Sequence, residues 1–336
     1  MTRPARADWL PGILLAMALA TAALVLGDLP FLRDTLHLGA LLLVILLGMA
    51  LASLAVLPDL VVPGVRAAQR PVLRWAVAGL GFRLSLGEVV QIGAPGLTVV
   101  TVSTIGSLAF GWWIARRLGV PEKLGLLLAV GTAICGASAI VAADSVVQAE
   151  KRETAVALGV ITLFGTAGII LYPWIGRMLG LSDQVFGIWD GASLHETAQV
   201  VAAGFGMSEE AARVATVVKL ARICLLAPIV FWLAWWLPRH HSEAGAAKVS
   251  AVPWFLVMFL VFAAVNSTGV IPEATLKLLR RADLWLLCVG MAGVGLQTGV
   301  GELRAAGVRP LLAGLLQWIV LAVLSLGLAM AISSAP

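Results

Sequence analysis

Charged residues are scarce in this chain. Asp, Glu, Lys and Arg make up 12% of the 336 residues, hydrophobic residues make up 60%, and the mean hydropathy is +1.00. A soluble domain has too little interior to bury so much apolar surface. The scarcity of charge therefore excludes an ordinary soluble protein and predicts an all-α polytopic membrane protein surrounded by lipid. The formal net charge of +5 fits basic cytoplasmic loops, so we expect no nucleic-acid partner.

Cysteine and histidine are also few, with three Cys and four His in the whole chain. Cys135, Cys224 and Cys288 are odd in number and all lie in apolar segments. This disfavours a disulfide framework and a zinc site, and it predicts buried packing thiols. We expect no metal and no cofactor.

Long apolar runs, in contrast, are abundant, and about 20 such residues are enough to cross the hydrocarbon of a bilayer. The sequence predicts ten or eleven transmembrane helices, in the segments 10–27, 37–57, 70–86, 94–115, 123–147, 153–176, 188–204, 212–237, 253–271, 283–299 and 309–332. Arg3 and Arg6 precede the first segment, which favours a retained helix with a cytoplasmic N-terminus over a cleaved signal peptide.

Segment 188–204 either crosses the membrane or re-enters it, and the distribution of Lys and Arg agrees equally with both topologies. The loop 238–252 is the longest polar connection, so it is the best candidate for a linker. No soluble domain is predicted beside the single membrane-embedded unit 1–336.

Residues 78–88 resemble residues 292–302, with Gly79 and Gly81 matching Gly293 and Gly295. A duplication explains this likeness better than the tendency of glycine-rich apolar sequence to match itself. Transporters are often built from two repeats of opposite orientation. We therefore predict repeats at about 37–177 and 188–332, an arrangement that favours a crossing segment 188–204.

The most polar stretch within the apolar sequence is Trp189–Gly204, which holds Asp190, His195, Glu196 and Gln199. Ionisable groups at membrane depth are costly and mark functional sites by default. The stretch is therefore predicted to form part of a transport site.

Two short motifs share a small–small–hydroxyl pattern, Gly136-Ala137-Ser138 and Gly191-Ala192-Ser193. Glycine frees the backbone from helical geometry, and a half-helix restarting there would aim its N–H groups at an anion. The alternative is that small residues simply permit close helix packing.

His195, Glu196 and Gln199 are predicted to lie within one helical turn, with His195 and Gln199 on one face. Histidine titrates near neutral pH and a neighbouring carboxylate can relay a proton, although a purely structural polar contact is the alternative. The zinc-protease motif His-Glu-x-x-His is incomplete because residue 199 is Gln.

Lys219 and Arg222 interrupt another apolar run and are three residues apart, hence on one helix face. They either snorkel to the interface or supply positive charge to an anion. Asp144, Asp190 and the pair Asn266-Ser267 are secondary candidates.

Five motifs together resemble the YeiH family, a group of conserved hypothetical membrane proteins assigned to sulfate export. The motifs are Gly81-Phe82-Arg83-Leu84-Ser85, Ile134-Cys135-Gly136-Ala137-Ser138-Ala139-Ile140, Gly191-Ala192-Ser193-Leu194-His195-Glu196-Thr197-Ala198-Gln199-Val200, Lys219-Leu220-Ala221-Arg222 and Met291-Ala292-Gly293-Val294-Gly295-Leu296-Gln297-Thr298. The likeness runs from about residue 37 to the C-terminus, with mild departures at Leu194 and Ala221, where Ile and Thr are expected. The YeiH family is in turn similar to the cation–proton antiporter and anion transporter superfamily. That implies two inverted repeats, a panel domain, and a core domain with discontinuous crossing helices.

These inferences predict a secondary transporter, not an enzyme, that moves a small inorganic anion such as sulfate by alternating access in the bacterial inner membrane. We expect a homodimer and coupling to a proton or Na⁺. The alternatives are a cation-coupled antiporter of the same fold and a non-transporting membrane receptor. The predicted substrate-binding residues are Cys135, Gly136, Ser138, Gly191, Ser193, His195, Gln199, Lys219, Arg222 and Gln297, and the predicted coupling residues are His195, Glu196, Asp144 and Asp190.

Overall fold

The computed structural model describes residues 9–27, 40–54, 57–236, 254–297 and 307–333. All regular secondary structure in these ranges is helical. The helices are α1 (Leu10–Gly27), α2 (Ala40–Leu54), α3 (Val62–Ala67), α4 (Leu73–Gly79), α5 (Leu86–Arg117), α6 (Glu122–Ala133), α7 (Ala137–Val147), α8 (Lys151–Met178), α9 (Asp183–Ser193), α10 (Thr197–Met207), α11 (Glu209–Cys224), α12 (Leu226–Trp236), α13 (Trp254–Ser267), α14 (Glu273–Gln297) and α15 (Val308–Ser333). A π-helical turn, Ala68–Val72, joins α3 to α4, and a 3₁₀ turn, Leu80–Arg83, follows α4. The predicted all-α class is confirmed, whereas the proposed linker 238–252 lies outside the described residues.

Five helical stretches in the described ranges are long and apolar enough to cross a membrane. They are Leu10–Gly27, Gly96–Arg117, Arg152–Met178, Glu209–Leu233 and Val308–Ser333. Shorter apolar helices occur at Leu43–Leu54, Thr197–Met207 and Val257–Ser267. Every predicted segment contains helix, and the total of ten or eleven crossings stays a prediction.

The chain divides into two compact units that are interleaved along the sequence. The first unit contains Met1–Val89 and Trp254–Val300, and the second contains Val90–Pro253 and Gly301–Pro336. Each unit therefore draws on both of the repeats predicted at about 37–177 and 188–332. Those repeats, and the panel and core domains, stay predictions.

In the first unit, glycines let α14 approach its neighbours closely. A Cβ on Gly295 would lie 2.4 Å from the Ile45 carbonyl oxygen of α2. A Cβ on Gly293 would lie 2.6 Å from the backbone nitrogen of Gln69. Since small residues allow backbones to meet inside a membrane, these two positions of the sequence repeat are packing positions.

The first unit also contains a polar junction where α4 ends. The Arg83 guanidinium donates to the Arg280 carbonyl at 2.9 Å and lies 3.7 Å from the Asp283 carboxylate. Beside it, the Asn266 side chain donates to the Leu84 carbonyl at 3.0 Å, and the Ser267 hydroxyl accepts from the Leu86 N–H at 2.8 Å. Asn266 and Ser267 thus hold the chain between α4 and α5.

In the second unit, α11 packs along α9 and α10, and α8 and α15 complete the core. An aromatic stack lies at its centre, with the Tyr172 ring 4.1 Å from that of Trp189 and 6.1 Å from that of Trp318. Side-chain caps begin several helices, as when the Ser182 hydroxyl accepts from the Val185 N–H at the start of α9. This packing holds together two places where a helix is interrupted, one between α6 and α7 and the other between α9 and α10.

Candidate functional site

The first break separates α6 from α7. Helix α6 ends at Ala133, the next three residues are non-helical, and α7 restarts at Ala137 with Gly136 as its N-cap. Gly136 has φ 71° and ψ −128°, a conformation that side-chain-bearing residues rarely adopt. The predicted half-helix restart is confirmed here, and Ser138 is the second residue of α7, with its side chain exposed.

The second break separates α9 from α10. Helix α9 ends at Ser193, Leu194 is extended, and α10 begins at Thr197. Segment 188–204 thus consists of parts of two half-helices. The stretch remains a candidate for crossing the membrane as a broken helix.

The prediction that Gly191-Ala192-Ser193 restarts a half-helix was wrong. These residues form the last turn of α9, and the Ser193 hydroxyl donates back to the Trp189 carbonyl at 2.5 Å. A Cβ on Gly191 would lie 2.4 Å from the Ala215 carbonyl oxygen of α11. The glycine is explained by close helix packing, the alternative that the sequence left open.

Glu196 and Gln199 form a reciprocal capping box at the start of α10. The Glu196 carboxylate accepts from the Gln199 N–H, and the Gln199 side-chain oxygen accepts from the Glu196 N–H at 3.0 Å. His195 lies before the helix, so the prediction that it shares a helical face with Gln199 was wrong. Capping explains why an acid and an amide occur three residues apart here.

The two breaks touch. A Cβ built on Gly136 would lie 2.8 Å from Cγ of Glu196 and 3.5 Å from the backbone carbon of His195. The N-terminus of α7 therefore meets the N-terminus of α10. We call this place, Ile134–Ser138 with Leu194–Thr197, the crossing.

Lys219 of α11 lies behind the crossing with no exposed surface. Its ammonium donates to three backbone carbonyls, those of Ile134 at 3.0 Å, Leu194 at 2.7 Å and His195 at 2.5 Å. Snorkelling to the membrane interface, one of the two alternatives, is excluded by this burial.

Arg222, one turn further along α11, is equally buried. Its guanidinium donates to the carbonyls of Ala133 at 2.9 Å, Leu194 at 2.8 Å and Thr132 at 2.6 Å. A helix leaves its last carbonyls without partners and carries partial negative charge at that end. The two cations therefore satisfy and neutralise the C-terminal ends of α6 and α9. Direct contact of either cation with an anion stays a prediction.

The N-terminal ends of α7 and α10 face the accessible side of the crossing. Ser138 is exposed, and Ala137, Glu196 and Thr197 are half-buried. First-turn N–H groups have no partner within their own helix, and this end of a helix carries partial positive charge. The open side thus presents hydroxyls, helix N-termini and one carboxylate.

Buried polar atoms without hydrogen-bond partners among the described residues lie along the same elements. They include both carboxylate oxygens of Asp190, Nδ1 of His195 and Nε2 of Gln199. Asp190 has no exposed surface. A buried carboxylate without a partner is unfavourable, so it indicates a functional position.

Two other aromatic residues near the crossing were missed from the sequence. Tyr172 stacks on Trp189, and the Trp318 ring lies 6.3 Å from that of His195. Tyr172 is the one tyrosine of the chain, and this rarity is the sequence signal that distinguishes it.

The remaining candidates are placed in different ways. Cys135 lies buried within the first break. Asp144 is near the end of α7, where it accepts from the Ala149 N–H at 2.9 Å and the Thr154 hydroxyl at 3.1 Å. Gln297 ends α14 in the first unit, so its place in the site stays a prediction. Cys224 is exposed at the end of α11, which corrects its prediction as a buried thiol.

The helical fold, its apolar spans and the buried charge define a polytopic integral membrane protein. The chain belongs to the family described as Conserved hypothetical protein 698, which it matches over residues 11–314. The expected membership in a family of conserved hypothetical membrane proteins is thereby confirmed.

Relatives from several bacteria are similar along nearly their whole length. The UPF0324 membrane protein of Yersinia pestis is 33% identical over 324 residues, which cover 93% of this chain and 89% of the relative. That of Bordetella pertussis is 35% identical over 324 residues, covering 93% and 92%. That of Bacillus cereus is 33% identical over 315 residues, covering 93% and 92%. These names state a membrane protein and no substrate.

Proposed function

We propose that this protein is a secondary transporter that exports a small inorganic anion, with sulfate or a related oxyanion favoured, through the crossing. The observation that carries the proposal is the asymmetry of its helix ends. Lys219 and Arg222 occupy the carbonyl ends of α6 and α9, while the N–H ends of α7 and α10 face the accessible side.

The electrostatic reason follows from the helix dipole. Each helix terminus carries roughly half an elementary charge, positive at the N-terminus and negative at the C-terminus. In the crossing, the negative ends are already compensated by two full positive charges. The positive end of α7, which no side chain caps, therefore remains to attract an anion, with the Ser138 and Thr197 hydroxyls as added donors.

Glu196 supplies a means of coupling. Its carboxylate caps α10 on the half-buried side of the crossing, where an arriving anion meets a like charge. Protonation of Glu196 would remove that repulsion, so anion and proton would move together. His195 is the proposed second proton carrier. In this proposal the crossing alternates between the two sides of the bacterial inner membrane, with the N-terminus in the cytoplasm.

The test measures the uptake of radiolabelled sulfate into proteoliposomes that contain either the wild type or the variant Ser138→Asp. A carboxylate in the first turn of α7 stabilises that helix but repels an anion from its N-terminus. Uptake should fall at least about tenfold, which corresponds to about 1.4 kcal/mol, while the melting temperature holds or rises.

Ser182→Asp is the matched control, because it introduces the same charge at the N-cap of α9, at the opposite end of that half-helix. Asp caps a helix as well as Ser does. Normal uptake by Ser182→Asp with loss in Ser138→Asp supports the crossing as the anion site. Equal uptake by both variants and the wild type would refute it.

A cation-coupled antiporter is the second candidate, favoured by the unpartnered carboxylate of Asp190. In that case Asp190 binds H⁺ or Na⁺, and the anion is not the cargo. Transport that follows an imposed Na⁺ or pH gradient without any sulfate dependence, and that is lost in Asp190→Asn, would select it.

A further inference from the structure

The three carbonyl oxygens around Lys219 form a cage that is independent of any anion. They belong to Ile134, at the first break, and to Leu194 and His195, at the second. All three lie 2.5–3.0 Å from Nζ, and the side chain is fully buried. The interruptions of the two broken helices release these carbonyls from helical hydrogen bonding and turn them toward one point.

The number of contacts indicates the chemical form of the lysine. An ammonium group has three N–H donors and no acceptor, and a neutral amine has only two donors. Three carbonyl oxygens within hydrogen-bond distance of Nζ match the three donors of the charged form. Backbone carbonyl oxygens converging on one point are also the ligands from which proteins build sites for K⁺ and other cations.

We propose that the crossing contains a monovalent-cation site that the Lys219 ammonium fills as a tethered cation. Arg222 is bonded to the same Leu194 carbonyl at 2.8 Å, so the site contributes to holding both breaks. A free monovalent cation has no room there while the lysine is present. Removal of the side chain beyond Cβ exposes the cage to cations of about the size of ammonium, such as K⁺ and NH₄⁺.

This inference goes beyond the proposed function and does not depend on it, because its readout is the stability of purified protein. A ligand that binds only the folded state raises the apparent stability in a saturable manner. Lys219→Ala would thus acquire a dependence on monovalent cations that the wild type lacks.

The experiment compares melting temperatures of the wild type and Lys219→Ala in detergent, in buffer whose only cation is N-methyl-D-glucamine. KCl, NH₄Cl, NaCl or methylammonium chloride then replaces that salt at constant ionic strength. Lys219→Ala should melt lower than the wild type and should recover about half or more of the loss with K⁺ or NH₄⁺. The wild type should not respond.

Arg222→Ala is the matched control on the same helix. The cavity left by the Arg222 guanidinium is planar, so millimolar guanidinium should stabilise this variant and K⁺ should not. The opposite selectivity of the two variants distinguishes a specific cage from a general effect of salt. Rescue of both variants by every salt alike would overturn the proposal.

Two further results would also overturn it. One is a Lys219→Ala protein that melts like the wild type in N-methyl-D-glucamine, because the carbonyls would then need no cation. The other is a Lys219→Ala protein that cannot be purified even in KCl or NH₄Cl, because the cage would then accept no free cation. A variant that is stable in KCl and loses stability when potassium is exchanged for N-methyl-D-glucamine supports the proposal.

Discussion

Lys219 and Arg222 donate to the same oxygen, the carbonyl of Leu194, at 2.7 and 2.8 Å. Two like charges converge there only because each also bonds carbonyls of the other broken helix. In this family member the pair is part of the architecture of the crossing, and its removal should be read first as a loss of structure.

Arg222→Lys should destabilise the protein even though the charge is kept. The guanidinium reaches three carbonyls as a planar fork, and an ammonium on a flexible stem cannot reproduce that geometry. Loss of one or two such bonds should cost about 2–4 kcal/mol. Arg213→Lys is the control, because Arg213 pairs with Glu210 one turn away on the surface of the same helix and should tolerate the change. Thermal unfolding in detergent measures both, and equal melting temperatures for the two variants would contradict the assignment.

Gly136→Ala should be destabilising for two reasons, a positive φ and a collision with Glu196. The φ of 71° costs a residue with a side chain about 1–3 kcal/mol, and the new Cβ would lie 2.8 Å from Cγ of Glu196. Gly180→Ala carries a similar φ, 60°, with nothing within 4 Å of the new Cβ. Gly136→Ala should therefore lower the melting temperature more than Gly180→Ala does. The reverse order would show that the two breaks do not touch as described.

Asp190→Asn and Asp144→Asn should have different effects on the stability of the folded protein. Asp190 is buried without a hydrogen-bond partner among the described residues, so replacement by a neutral amide should leave stability unchanged or raise it. Asp144 accepts two hydrogen bonds, and its replacement should cost about 1–2 kcal/mol. Melting temperatures of the two variants, measured side by side, decide the matter. An Asp190→Asn protein that is the less stable of the two would argue against an unpaired carboxylate.

Two capping boxes occur among the described residues, and they allow a test of whether the position of a capping box matters for transport. Gln199→Ala removes the acceptor of the Glu196 N–H at the start of α10, and Glu153→Ala removes the equivalent acceptor of the Glu150 N–H at the start of α8. Each should cost roughly 1 kcal/mol of stability. Only Gln199→Ala should also lower sulfate uptake, since only its box lies at the crossing. Uptake that falls equally in both variants would point to a general loss of folded protein.

The helices and the positions of the two breaks could be predicted because they depend on residues that are close together in the sequence. The apolar runs of about 20 residues predict the helices, and the Gly136-Ala137-Ser138 motif predicts the restart of α7. The concentration of polar residues from Asp190 to Gln199 marks the second break. These signals depend on nearest neighbours along the chain.

The role of Lys219 and Arg222 could not be predicted in the same way. Their partners are backbone carbonyls, which every residue has, and the carbonyls of Thr132, Ala133 and Ile134 are 85 to 90 residues away in sequence. A pattern of side chains cannot distinguish such a carbonyl cage from an anion site or from snorkelling. Gly191 was misread for a related reason, since its need for glycine arises from the Ala215 carbonyl of another helix.

The six hydrogen bonds from Lys219 and Arg222 also have a mechanical consequence. They join the C-terminal ends of α6 and α9 to α11, so these three helices form one stiff body at the crossing. Any flexibility around this body then lies in the turns that connect α6, α9 and α11 to their neighbouring helices. Gly119 and Gly180 have positive φ in the turns before α6 and α9, where glycine allows the backbone conformations that other residues rarely adopt.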